Sequence, residues 1–111
     1  MNSCTIATRG WPFGPPRSLL GFGLAPAEEA AAEVKDLRRR LSVDIEVHFH
    51  NDLGHAVSNA LAAVRAGANY VSASLLGIGE RTGITALSSL LANLYVIDER
   101  VGARYDLTWL T

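Results

Sequence analysis

The sequence predicts an α/β fold, because from residue 26 onward helical and strand patterns alternate in the order helix, strand, helix, strand, helix. Only a few residues separate consecutive elements, and strands joined through helices pair in parallel by right-handed crossovers. The 111 residues suffice for one domain of ordinary size and are too few for two. In such a fold we expect the chemistry in the loops that follow the strands.

Three segments have the apolar spacing of amphipathic helices. The first begins at Pro26, which suits a first helical turn, and has acidic residues at its start and arginines at its end, as the helix dipole favours. The second covers residues 55–66, with Gly67 placed to end it in the left-handed conformation. The third is predicted by four leucines and a capping threonine: Leu87, Leu90, Leu91 and Leu94, with Thr82 or Thr85 as the cap.

Two strands separate these helices. Residues 43–50 alternate apolar and polar side chains, so one face packs beneath the helices and the other ends in His48 and His50. Residues 70–76 are apolar or small and lead directly into a glycine-rich loop at residues 77–83. Residues 1–24 hold three of the four prolines together with several glycines, so we predict irregular structure there.

Composition excludes several classes of function. A net charge of −1 and a pI near 6.3 lack the basic footprint of a protein that binds nucleic acid or an anionic membrane. No apolar run reaches the roughly 18 residues of a membrane span. The single cysteine, Cys4, rules out an intramolecular disulfide and a cysteine-based zinc site, which favours a cytoplasmic location.

His48 and His50 form the first candidate site. Residues two apart on a strand project from the same face, so both imidazoles are able to bind one divalent metal, with a carboxylate or water completing the shell. The alternative is that they are polar residues at a strand end, satisfied by their neighbours. The glycine loop lacks the Lys-Ser/Thr pair of a phosphate-binding loop, although its amides and Arg81 suit an anion; its alternative role is a tight connector.

Three motifs together resemble a known family. They are H-F-H-N-D-L-G-H-A from residue 48, A-L-A-A-V-R-A-G-A from residue 60, and L-L-G-I-G-E-R-T-G-I-T-A-L from residue 75. Their order and spacing resemble the metal-dependent barrel shared by homocitrate synthase, 2-isopropylmalate synthase and 3-hydroxy-3-methylglutaryl-CoA lyase. The resemblance implies a partial TIM (β/α)8 barrel with about two parallel strands and three helices. Residues 25–111 would form the C-terminal fragment of a pyruvate carboxyltransferase-type barrel, and residues 1–24 have no counterpart in it.

The resemblance also implies a site and a reaction, an acyltransferase condensation of acetyl-CoA with a 2-oxo acid in amino-acid biosynthesis. His48 and His50 would bind a divalent metal, which is Mg, Mn or Zn. The other implied residues are Asn51 and Asp52 as orienting residues, Glu80 and Arg81 in the pocket wall, and Ser74 lining the pocket. His55 has no family counterpart and is expected to be a solvated helix residue. No catalytic base is identified.

Within the family, the glycine loop separates the members. The lyases carry a cysteine there, and this chain has none near Glu80 and Arg81. The isopropylmalate synthases usually have asparagine where this chain has Ile84, and the G-E-R-T-G-I-T form resembles homocitrate synthase, for which the 2-oxo acid is 2-oxoglutarate. Ala86 replaces the proline usual in that subgroup.

A complete barrel needs eight strands and about 250 residues, so most of it is missing from these 111 residues. We therefore expect the chain to be inactive alone and to act with acetyl-CoA and a 2-oxo acid only if another polypeptide supplies the remaining strands. Alternatives are a 2-isopropylmalate synthase-like fragment and a non-catalytic remnant or binding module that self-associates through exposed strand edges.

Overall fold

The computed structural model describes residues 3–8, 20–21, 25–101 and 103–108. Its four-stranded sheet contains β1 (Ser3–Thr8), β2 (Leu20–Gly21), β3 (Ile45–His48) and β4 (Tyr70–Ser72), in the spatial order β2-β1-β3-β4. β3 and β4 pair in parallel, whereas β1 pairs antiparallel with both β2 and β3. The predicted parallel pair of strands is therefore present, and helices precede, connect and follow its two strands.

Three α-helices follow the predicted pattern: α1 (Ala27–Arg40), α2 (Ala56–Ala66) and α3 (Leu87–Ile97). Pro26 lies at the N-cap position of α1, where its carbonyl accepts the first helical hydrogen bonds. Gly67 ends α2 at a φ of 115°, the left-handed conformation that glycine adopts without a steric penalty. Since both the elements and their order match the sequence pattern, the α/β prediction is confirmed.

The core lies between β3 and the helices. Ile45 and Val47 of β3 are fully buried, as is Val34 of α1, and Phe49 just beyond β3 is 2% exposed. On α2 three alanines face this cluster, and their small side chains allow α1 and α2 to pack closely; they are Ala56, Ala60 and Ala63. The apolar face predicted for residues 43–50 is therefore the face that the helices cover.

Several details differ from the sequence-based expectations. Residues 3–8 and 20–21 form strands, so the prediction of irregular structure throughout residues 1–24 is wrong there. The reason is local, because the segment Ser3–Thr8 contains no proline or glycine. The rest of residues 1–24 lies outside the described residues. The N-cap of α3 is Ala86, which makes no side-chain hydrogen bond, and not the predicted threonine. The hydroxyl of the buried Thr85 donates instead to the carbonyl oxygen of Ala56 at 3.4 Å.

An apolar groove of about 540 Å³ runs beside α2 and α3. It is lined mainly by leucines and by residues that follow α3, such as Val101 and Tyr105, and none of the candidate site residues lines it. Among the described residues, no helix has the length and apolar character needed to cross a bilayer.

Candidate metal centre

His48 and His50 flank a buried anchor. Phe49 points into the helix-covered core, so the alternation of the strand sends both imidazoles to the opposite face. The Nε2 atoms of the two histidines lie 3.3 Å apart, and the ring centroids are 4.9 Å apart at an interplanar angle of 73°. The two rings therefore converge on one point at the carboxyl end of β3.

The remaining ring nitrogens of the two histidines differ. His48 Nδ1 lies 3.0 Å from the hydroxyl oxygen of Ser72, and Ser72 is the register partner of His48 in the parallel β3–β4 pair. His50 is 8% exposed, and its Nδ1 atom is buried without a hydrogen-bond partner among the described residues. Burial lowers the pKa of His48 below its ordinary value and the neighbouring His50 lowers it further, against an opposing effect of Glu46. The lowered pKa of His48 favours its neutral form, which is the form that binds metals.

The separation of the two nitrogens fits a shared metal ion. Two Zn–N bonds of about 2.0–2.1 Å at a tetrahedral angle place their nitrogens about 3.3 Å apart, and the Nε2 atoms of His48 and His50 lie at 3.3 Å. Within the described residues, no group of three or more His, Cys, Asp or Glu side chains could hold a metal. The pair therefore fits part of a coordination shell and leaves the other positions to further groups.

Asn51 joins the histidine loop to the rest of the site. Its side-chain oxygen accepts a hydrogen bond of 3.2 Å from the backbone N–H of Ala56, at the first turn of α2. Its own backbone N–H donates to the carbonyl oxygen of Gly83 at 3.0 Å, and the adjacent His50 forms an isolated antiparallel bridge with Ile84. The glycine loop is therefore held directly against the end of the histidine strand.

Asp52 makes the strongest polar link between the two loops. Its carboxylate accepts hydrogen bonds from Arg81 Nε and Nη2 at 3.2 and 3.0 Å and from the Thr82 hydroxyl at 2.7 Å. The hydrogen bonds from Arg81 lower the pKa of this carboxyl, and the bond from Thr82 adds to the effect. Arg81 is thus engaged by an aspartate of the same site, although the sequence also suited it to a free anion.

The shape of the glycine loop depends on close backbone contacts. A Cβ atom at Gly83, which has a φ of 95°, would collide with the carbonyl oxygen of Gly77. Two non-glycine residues of the same loop, Leu76 and Arg81, also have positive φ angles, of 58° and 59°. Because such backbone costs of order 1 kcal/mol for a residue with a side chain, the surrounding contacts must hold it in place.

Ser74, Glu80 and His55 complete the residues named from the sequence. The Ser74 hydroxyl donates to the carbonyl oxygen of Ile78 at 2.6 Å, and Glu80 is exposed. His55 is the half-buried N-cap of α2, and its Nδ1 atom is buried without a hydrogen-bond partner among the described residues, so the expectation of a solvated helix residue is wrong for this nitrogen. Sequence reasoning missed Ser72. Ser72 and Ser74 share a strand face, and only the parallel register in the structure shows that Ser72, and not Ser74, lies opposite His48.

The arrangement places this chain in a class: α/β proteins that gather polar residues in the loops after parallel strands. Its particular family follows from sequence. The family model described as HMGL-like matches residues 21–111, and the chain belongs to this family. It is 47% identical over 89 residues to the mitochondrial homocitrate synthase of Schizosaccharomyces pombe, and 44% identical over 92 residues to the 2-isopropylmalate synthase of Halothermothrix orenii.

These alignments cover 79% and 78% of this chain but only 21% and 18% of the two relatives, so the chain spans about a fifth of their length. Among solved structures, pyruvate carboxylase of Rhizobium etli superposes with a TM-score of 0.67 at 30% identity, over 79% of this chain and 9% of that one. The family identified from the three motifs is therefore confirmed, together with its α/β fold.

Proposed function

We propose that this chain carries the metal-binding corner of a condensing acyltransferase that joins acetyl-CoA to a 2-oxo acid. The observation that carries the proposal is the 3.3 Å separation of the Nε2 atoms of His48 and His50 beside the glycine loop. Membership of a family generally dependent on divalent metals supports the same assignment, as do relatives named as homocitrate and isopropylmalate synthases.

His48 and His50 would hold a divalent metal, whose chemistry would be Lewis-acid activation of the keto group of a 2-oxo acid. The residues around the two histidines orient the imidazole rings and position the glycine loop. Ser72 fixes the ring of His48 through Nδ1, which leaves Nε2 directed at the shared point. The hydrogen bonds between Asp52 and Arg81 hold the glycine loop against the histidine loop, which keeps the spacing between the glycine loop and the two histidines constant.

Homocitrate synthase, with 2-oxoglutarate as the 2-oxo acid, is the subgroup we propose. Position 84 pairs with His50, so the residue that separates the two synthase types lies beside the candidate ligands. Isoleucine at this position adds an apolar surface where asparagine would add a polar group. The identity of 47% to a homocitrate synthase supports this choice.

We further propose that activity requires the other strands of the barrel, because the chain corresponds to about a fifth of its curated relatives. Two imidazoles supply only part of a coordination shell, and a catalytic base and further metal ligands must come from elsewhere. The cytoplasm is the compartment we propose, and the relatives include proteins named as cytosolic and as mitochondrial.

Isothermal titration of the chain with Mn²⁺ and Zn²⁺ tests the metal site. We expect binding to weaken at least tenfold in His48→Ala and in His50→Ala, since each removes one of two ligands. His55→Ala is the matched control, because it removes the third histidine of the chain, five residues beyond His50, and should leave the affinity unchanged. Equal affinity of the wild type and His48→Ala would contradict the proposal.

Release of free CoA from acetyl-CoA and 2-oxoglutarate separates the enzyme from the alternative of a non-catalytic binding module. We expect no release by the chain with metal alone, and release when the remaining barrel of a homocitrate synthase is supplied as a second polypeptide. If metal binds at His48 and His50 and the complemented complex still releases no CoA, the chain is a binding module. If 2-oxoisovalerate replaces 2-oxoglutarate as the better substrate, the isopropylmalate synthase alternative holds.

A further inference from the structure

The strand β3 has two different neighbours. On one side β4 pairs with it in parallel, from Glu46 opposite Tyr70 to His48 opposite Ser72. On the other side β1 pairs with it antiparallel, along the whole of Ile45–His48. All four residues of β3 are therefore paired with β1, in the register Thr5 with His48, Ile6 with Val47, Ala7 with Glu46 and Thr8 with Ile45.

The strand β1 does not belong to the part of the chain that defines the family. The family match begins at residue 21, after β1 has ended at Thr8. A TIM barrel pairs each of its strands in parallel with both neighbours, so an antiparallel partner has no place in it. The strand β1 therefore occupies the side of β3 where a barrel would have a parallel strand.

The edge that β1 covers would be a hazard if it were open. Ile45 and Val47 are fully buried, so one face of β3 belongs to the core, and the backbone of such a strand is expected to be hydrogen-bonded on both sides. An open edge of this kind pairs readily with an edge from another chain. A second copy of this chain would present the same edge, and two such edges are able to pair around a two-fold axis.

We propose that β1 is an edge-capping strand that covers β3 in place of a barrel neighbour and so prevents two copies of this chain from pairing through β3. The interaction surface is the edge of Ile45–His48, and its partner, once β1 leaves, is a second copy. The metal assignment plays no part in this argument, so the two proposals can fail separately. A barrel fragment that pairs with β3 must first displace β1.

The first test uses cysteines placed at register partners in the Cys4→Ser background. Ala7→Cys with Glu46→Cys joins two facing positions, which lie within the Cα separation that a disulfide spans. The matched control, Thr5→Cys with Glu46→Cys, is two residues out of register and about 8 Å apart, beyond that span. We expect oxidation to give an intramolecular disulfide in most of the first variant and little of the second, measured by peptide mass spectrometry without reduction.

Equal yields in the two cysteine variants, or disulfides only between chains, would overturn the proposal, because β1 would then not lie in this register on β3. The pair at positions 5 and 46 measures how often β1 and β3 merely come near each other. The pair at positions 7 and 46 measures the specific antiparallel register of the two strands. Both variants keep the apolar residues of β3, so the core is left intact.

The second test removes residues 1–8 and compares molar mass by sedimentation equilibrium with that of the oxidised Ala7→Cys/Glu46→Cys chain. We expect the mean mass of the truncated chain to rise toward a dimer at concentrations where the locked chain does not change. An equal mass for the two would overturn the proposal. An unfolded, monomeric truncated chain would also overturn it, because β1 would then be required for folding and would not be a cap.

Discussion

The two faces of one short segment, residues 47–50, belong to regions in which different interactions dominate. Val47 and Phe49 face the core, where α1 and α2 exclude water and the contacts are apolar. His48 and His50 face the site, where hydrogen bonds to Ser72 and between loops set the geometry. Because burial of apolar surface dominates folding free energy, the first face should control stability and the second should control binding. Substitutions on the two faces can separate the two properties.

The largest expected effect is that of Phe49→Ala. Removing this buried ring should lower the free energy of unfolding by about 3–5 kcal/mol, the usual cost for a phenylalanine in a core. Denaturation with urea, followed by circular dichroism, measures it. Leu53→Ala, in the same loop but 58% exposed, is the control and should change stability by no more than about 0.5 kcal/mol. Similar losses in both variants would contradict the division into two faces.

Ser72→Ala should act on binding alone. Loss of the hydroxyl that contacts His48 Nδ1 leaves the ring less well oriented, so we expect metal affinity to fall about 10- to 100-fold. Calorimetric titration with Zn²⁺ measures the change. Ser74→Ala is the matched control, because its hydroxyl bonds to the Ile78 carbonyl and not to a histidine. An unchanged affinity in Ser72→Ala would remove this serine from the site.

Arg81→Ala tests the link between the two loops. Without its hydrogen bonds to Asp52, the glycine loop should open more often, and the amide of Asn51, which donates to Gly83, should exchange about two- to fivefold faster. Hydrogen exchange measured by NMR reports this amide. Arg40→Ala removes an exposed pair with Asp36 on α1 and serves as the control. Equal exchange rates in both variants would mean that the ion pair does not hold the loops together.

The smallest expected effect lies in neither region. Hydrogen bonds from the side chain and the backbone N–H of Arg100 lower the pKa of Asp98 from 3.8 to about 2. A carboxyl with a lowered pKa contributes its full stabilisation above pH 3.8 and loses it as the pH falls toward 2. The difference in free energy of unfolding between the wild type and Asp98→Asn should therefore shrink as the pH is lowered from 3.8 to about 2, as measured by urea denaturation. A difference independent of pH would show that the pair contributes nothing.

Local patterns predicted much of the fold. The apolar spacing indicated all three helices, Gly67 indicated the end of α2, and alternation placed His48 and His50 on one face. These features depend on residues close in sequence. The contacts of Asp52 with Arg81, of His48 with Ser72 and of β1 with β3 join residues 24 or more positions apart, and they depend on register and packing that no local pattern contains.

Asn51 bonds to two elements at once: its side-chain oxygen accepts from the backbone N–H of Ala56 at the start of α2, and its backbone N–H donates to the carbonyl oxygen of Gly83. The first turn of α2 and the glycine turn therefore share a single anchoring residue, and this residue follows His50 directly in the chain. A substitution at position 51 would remove the side-chain half of this anchor and leave the backbone half in place.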